Sequence, residues 1–144
     1  MRILISACLL GLCCRYDGQS KAHDAVLRLR DRHELIPVCP EQLGGLPTPR
    51  PPAEIQGERV VNREGRDVTA AYQKGAEEAL RFCRLLRCDC AILKTRSPSC
   101  GNTSIYDGSF SGALIPGQGM TARLLTEAGI PVYSEEDDWG NLLD

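Results

Sequence analysis

Four short apolar runs punctuate the chain: "RILISA" at residues 2–7, "ELIPVC" at 34–39, "DCAILK" at 89–94 and "IPVYS" at 130–134. Each is apolar almost throughout and too short for a packed helix, so each predicts a strand buried on both faces. The stretches between them carry helical patterning. Buried strands separated by helices make a parallel sheet with helices on both sides, and right-handed crossovers fix how the layers wind. The expected fold is therefore α/β: a Rossmann-like three-layer sandwich with a four-stranded, mainly parallel sheet. In such a sheet the strand C-termini share one edge, and ligands bind where the strand order reverses.

The remaining elements follow from local signals. "DAVLRLRDR" at 24–32 predicts a helix capped by Asp24, and "AAYQKGAEEALRFCRLLR" a long helix capped by Thr69. "MTARLLTEAG" predicts a short helix ended by Gly129. Residues 54–68 predict a small β-hairpin insertion turning near Glu64–Gly65. "PEQLGGLPTPRPP" after Cys39 reads as irregular loop, as does the polar, glycine-rich segment running to Gly119. The tail "EEDDWGNLLD" is acidic.

At 144 residues the chain is the size of one domain, 1–144, able to bury a core without disulfides. A net charge of −2 carries no electrostatic footprint for nucleic acid. No apolar run approaches the length of a membrane span. "MRILISACLLG" has one positive charge ahead of its apolar residues, but "CCRYDG" stands where a signal peptide would need a small-residue cleavage site. The expectation is a cytoplasmic protein without nucleic-acid or membrane partners.

Eight cysteines then need another explanation than a disulfide framework. Cys8, Cys39 and Cys100 lie at or just beyond the ends of the first three strands. If those strands are neighbours, the three thiols meet. Three converging thiolates can bind zinc, bind an iron–sulfur cluster or simply be buried. Structural zinc normally has four closed ligands, and neither His23 nor His33 is placed to supply one. Three cysteines on a [4Fe–4S] cluster would leave one iron open to a substrate atom. Cys13 and Cys14 follow Cys8 closely, and one of them could replace it or accept sulfur. Cys83, Cys88 and Cys90 fall on a helix end and a strand, where small buried thiols are common.

Other polar residues share the proposed edge. Glu41, two positions past Cys39, is placed to carry a proton. Ser97 and Ser99 flank Pro98 before Cys100, where they either make a turn or bind substrate. Arg50 is presented by the prolines of "PTPRPP". Lys94 ends the third strand, and Arg15 and Asp17 lie in the first βα loop. Pro40 and Pro98 prevent their strands from continuing.

These residues carry a resemblance. "SACLLGLCCRYDG", "PVCPEQLGGLPTPRPPAEI", "KTRSPSCG" with "IYDGSFSG", and "GQGMTARLLTEAGIPVYSE" resemble successive blocks of a bacterial family of thiouracil desulfidases, from Met1 to about Glu135. The resemblance implies a [4Fe–4S] enzyme that removes sulfur from 2-thiouracil or 4-thiouracil, giving uracil and sulfide. It implies Cys8, Cys39 and Cys100 as cluster ligands, with Glu41 and Ser97 catalytic. Arg15, Asp17, Arg50, Lys94 and Ser99 are the candidate substrate-binding residues. A thiolated nucleobase is the expected small-molecule partner, with a sulfur acceptor as a second. Two other readings stay open: a cluster-dependent sulfur-transfer partner, and a non-enzymatic zinc or iron–sulfur binding module.

Overall fold

A computed structural model describes residues 1–139; the end of the acidic tail, 140–144, lies outside the described residues. The central strand β1 (Arg2–Ser6) pairs in parallel with β2 (Glu34–Val38) on one side and with β5 (Cys90–Leu93) on the other. Strand β8 (Val132–Ser134) adds in parallel beside β5, so the sheet order is β2-β1-β5-β8. The four predicted strands all form, and the sheet is parallel throughout.

Alternation along the strands splits the core into two layers. Ile3, Ile5 and Ile92 pack with Val26 of helix α1 (Asp24–Arg28) on one face. Leu4, Ala91 and Leu93 pack on the other with Ala79 and Cys83 of α3 (Thr69–Leu85) and with Ala122 and Leu125 of α4 (Met120–Glu127). In β1 and β5 successive residues thus go to opposite faces and are buried on both, which is why these two read as continuous apolar runs; the outer strands β2 and β8, expected to be buried likewise, are only partly covered because each has a neighbour on one side alone. Each fully buried Ile or Leu contributes about 1.5–3 kcal/mol of transfer free energy.

Several local expectations need correction. The predicted cap Asp24 is the first residue of α1; His23 holds the extended cap position, and its Nδ1 accepts from the Val26 amide at 3.4 Å. The helix is shorter than expected and tightens into a 3-10 turn over Leu29–Asp31. Thr69 does not cap α3: its hydroxyl accepts from the Val60 amide at 2.8 Å, while Asp67 Oδ1 accepts from the Thr69 amide at 2.9 Å. The inserted hairpin pairs β3 (Ala53–Gln56) with β4 (Arg59–Asn62), turning at Gly57–Glu58; Glu64–Gly65 makes a second turn after it. The segment running to Gly119 contains another hairpin, β6 (Ser104–Tyr106) with β7 (Leu114–Pro116).

The supposed loop after Cys39 begins with one helical turn, α2 (Pro40–Leu43). Pro40 suits the first helical position because its fixed φ is already helical and the amide hydrogen it lacks would have no partner there. Helix α2 lies directly on α3. A Cβ on Gly44 would overlap the Ala71 carbonyl, and one on Gly75 would overlap the Pro40 carbonyl. Gly75→Ala should therefore destabilise the protein by about 3 kcal/mol through this backbone overlap, outweighing the gain of up to about 1 kcal/mol in helix propensity. Chemical denaturation measures it, and a midpoint at or above the parent's would mean that α2 is free to move off α3.

Candidate functional site

The three adjacent strands β2, β1 and β5 deliver their cysteines to one edge. Cys8 sits in the 3-10 turn Ala7–Leu10 that follows β1. Cys39 follows β2 in extended conformation and starts α2. Cys100 ends the loop that leaves β5. All three line a single cavity of about 550 Å³, together with Cys14, Glu41 and Tyr72 among others. Cys8 and Cys100 are buried and Cys39 is half-buried; none is in a disulfide. Burial, above all, pushes the Cys100 thiol up to about 12. The Cys39 thiol is raised by its hydrogen bond with Cys14 and then by burial.

Ser97 aims Cys100. Its Oγ accepts from the Ser99 amide at 3.1 Å and the Cys100 amide at 3.0 Å, and its hydroxyl borders the cavity. Ser99, an expected substrate-binding residue, lies outside the cavity lining: its hydroxyl bonds Thr121 Oγ1 at 2.8 Å in the interior, against α4. Of the two serines of the SPSC turn, Ser97 lines the cavity and Ser99 does not.

Glu41 is held by Arg50. Arg50 Nε donates to Glu41 Oε2 at 2.7 Å, and the Arg50 Nη2 pairs with the same oxygen. Tyr72, on α3, lines the same cavity; burial and then the Glu41 charge push its phenol above its usual range. Arg50 is only 8% exposed. It spends its other donors on Cys14 O at 2.9 Å, Pro47 O at 3.2 Å and Thr48 Oγ1 at 3.0 Å. Burial alone would lower its pKa, but the Glu41 charge more than reverses this. Arg50 therefore borders the cavity as the residue that positions Glu41, with no donor left over for the substrate contact expected of it.

Lys94 reaches the cavity from the end of β5, where its amide is anchored on Ser6 Oγ at 2.9 Å. Its ammonium pairs with Glu135 at 2.8 Å, and the Thr95 amide donates to the same carboxylate at 2.9 Å. Burial would raise the Glu135 pKa, yet Lys94 and the Thr95 amide hold it below the usual value. Arg15 lines the cavity with its guanidinium 5.5 Å from the Tyr16 ring centre. Its Nε lies 3.4 Å from Asp17 Oδ1, but without the alignment of a hydrogen bond. Asp17 is exposed, stands outside the cavity lining, and closes a turn by accepting from the Gln19 amide at 3.0 Å.

The far wall of the cavity belongs to the two hairpins. Buried Glu54 on β3 accepts at Oε1 from the Gly108 and Phe110 amides at 3.0 and 3.1 Å, pinning the tip of the β6–β7 hairpin. Phe110 has φ of 57° and carries the Arg63 guanidinium 5.8 Å above its ring. Sequence reasoning missed Tyr72, Glu54 and Glu135. Glu135 alone had a local signal, since it follows the fourth strand at the same edge.

The other cysteines separate cleanly. Cys83, with Cys88 packed against the same cluster, lies on the α3–α4 face of the sheet and Cys90 on the α1 face, so the three cysteines of "CRLLRCDC" do not converge. Cys13 is exposed, whereas Cys14 is buried at the cavity. Among the described residues no three His, Cys, Asp or Glu side chains are grouped as a single metal ion requires. The thiols instead surround a space. No helix among the described residues is long and apolar enough to cross a membrane.

Comparison with known proteins agrees with this arrangement. The chain is 43% identical to the uncharacterized protein YbbK of Bacillus subtilis (strain 168), across 94% of this chain and 96% of that one. It is similar to a solved structure of the [4Fe-4S]-dependent thiouracil desulfidase TudS (DUF523Vcz), with 50% identity and a TM-score of 0.89, covering 94% of this chain and 91% of that one. The family model described as 2-thiouracil desulfurase matches residues 3–137, and the chain belongs to that family.

Proposed function

We propose that this protein hydrolyses the carbon–sulfur bond of thiolated pyrimidines such as 2-thiouracil and 4-thiouracil, giving uracil and sulfide with the help of a [4Fe–4S] cluster. The observation that carries the reading is the delivery of three unpaired thiols by three adjacent parallel strands to one cavity that also holds a pinned carboxylate. The donor set fits the cofactor: the thiols are soft ligands, they arise singly, and they surround a space rather than a point. Cys8, Cys39 and Cys100 would hold the cluster. When bound, it supplies a Lewis-acidic iron without a protein ligand, suited to a thiocarbonyl sulfur.

The chain's own groups do the remaining work. Glu41, fixed at Oε2 by Arg50, takes a proton from the water that attacks the ring carbon. Ser97 Oγ already accepts two amide hydrogens, so its own hydrogen is available to the substrate. The Lys94 ammonium, held by Glu135, and the Arg15 guanidinium supply positive charge where the ring gains electron density. Water provides the oxygen of the new carbonyl, its protons leave with sulfur, and no electron is transferred. A persulfide on Cys13 or Cys14 would need a two-electron oxidant that neither water nor substrate supplies. Sulfide itself is thus the product, and any acceptor collects it after release. Unpaired thiols and an oxidation-sensitive cofactor suit a reducing compartment, and we place the protein in the cytoplasm.

Anaerobic reconstitution with iron and sulfide, followed by incubation with 2-thiouracil and 4-thiouracil, tests the proposal. Broad visible absorption and stoichiometric uracil and sulfide are expected. A cluster-loaded protein that releases no sulfide from any thiolated pyrimidine would leave a binding module in place of the enzyme.

A further inference from the structure

Phe110 lines the cavity and has no task in the reaction just described. Its backbone has a φ of 57°, in the left-handed region, where Cβ crowds the chain and a bulky aromatic residue is rarely found. Strain of this kind persists where the surroundings impose it, and here they do. Glu54, only 8% exposed, accepts from the Phe110 amide at 3.1 Å and from the Gly108 amide at 3.0 Å. Gln56 Nε2 donates to the Gly108 carbonyl at 2.8 Å. A Cβ on Gly108 would overlap the Ile55 carbonyl, so the tip of the β6–β7 hairpin lies hard against β3. Core packing does not account for the strained residue. Phe110 is half-buried and lies outside the core clusters, and the residues after it, Ser111 to Pro116, are exposed. Tyr16, Tyr72 and Tyr106 also border the cavity, but none of them has a left-handed backbone.

We propose that Phe110 is a substrate-binding residue, and that the face of its ring turned away from Arg63 stacks on the pyrimidine. The inference rests on the desulfidase reading above and extends it from the reacting thiocarbonyl to the rest of the substrate. Arg63 covers one face of the Phe110 ring, its guanidinium 5.8 Å from the centre. The groups assigned to the reaction, Glu41, Ser97, Lys94 and Arg15, are polar or charged and suit the edge of a heterocycle. None of them offers an apolar surface to its flat side. Phenylalanine has no polar atom and can give only its ring, and base–aromatic stacking holds any nucleobase by its π-face. The site would therefore select a flat thiolated ring over a saturated one that carries the same thiocarbonyl.

The test compares anaerobically loaded parent, Phe110→Leu and Phe110→Tyr against 2-thiouracil and 5,6-dihydro-2-thiouracil, which keeps the thiocarbonyl but is puckered. Iron per chain is expected to be equal in all three proteins. In Phe110→Leu the KM for 2-thiouracil should rise about tenfold, with kcat within about twofold of the parent value because stacking contributes to binding alone. Phe110→Tyr, which keeps the ring, should restore the parent KM. The KM for the dihydro compound should be the same in all three. A parent-like KM for 2-thiouracil in Phe110→Leu would overturn the inference. So would an equal rise for both compounds, because Phe110 would then be a steric wall. If Phe110→Leu does not fold, the parent alone decides: its KM for 2-thiouracil should lie about tenfold below that for the dihydro compound, and equal values would refute stacking. A parent that releases no sulfide defeats the desulfidase reading separately, and equilibrium dialysis of the two compounds then measures the same ratios without turnover.

Discussion

The Glu41→Gln protein is expected to take up as much iron as its parent and to release sulfide from thiouracil at least about a hundredfold more slowly. Glutamine keeps the shape of the side chain and an oxygen to accept from Arg50, but it cannot carry a proton at neutral pH. The carboxylate is not a cluster ligand in this arrangement: Arg50 holds its Oε2, which leaves Oε1 to take the proton. The loss should fall on kcat rather than on KM, because proton removal belongs to the chemical step. Removing the charge also leaves the buried Arg50 guanidinium without its counter-ion, a change that can cost about 3–5 kcal/mol. A melting curve is therefore recorded beside the rate. Parent-like turnover would remove Glu41 from the mechanism. Loss of the cluster from a folded variant would make it a structural residue.

Cys39→Ala should lose its cluster and with it all measurable sulfide release. The same is expected of Cys8→Ala and Cys100→Ala, because removing one thiolate from a set of three leaves too few ligands to hold the cluster's irons. Cys83→Ala and Cys90→Ala are the matched controls. Their sulfurs are buried on opposite faces of the sheet, and truncating a small buried side chain leaves a modest cavity. Both should keep full iron content with a lowered melting temperature. Visible absorption and iron analysis on the five proteins decide the assignment, and a folded Cys83→Ala or Cys90→Ala without iron would reverse it.

The sheet could be read in the sequence because its two central strands are buried on both faces, which leaves a continuous apolar signal at Ile3–Ile5 and Ala91–Leu93. The meeting of Cys8, Cys39 and Cys100 at one cavity followed from that reading. Elements of three or four residues were harder. Helix α2 hides in a run of glycines and prolines, and β6 and β7 are three residues each, too short for periodicity to register. The neighbours of Glu41 escaped for different reasons. Tyr72 looks like one more apolar position of an amphipathic helix, and only the close packing of α2 on α3 places it in the cavity that Glu41 lines. Arg50 was visible as a residue, but its donors are distributed among carbonyls that only the folded loop brings together. Ser97 and Ser99 differ by two positions in one turn, and their opposite fates depend on where Thr121 of α4 lies.

The strand order β2-β1-β5-β8 also sets when the site can come into being. Strand β1 is made first but has both edges filled by later segments, the second more than eighty residues downstream. Parallel pairing over such separations carries a large loop-closure cost and forms slowly. The cavity therefore has no partial version that a shorter nascent chain could offer. An iron donor that meets this polypeptide during synthesis, before Cys100 has emerged, finds at most two of the three thiols, so maturation has to follow folding.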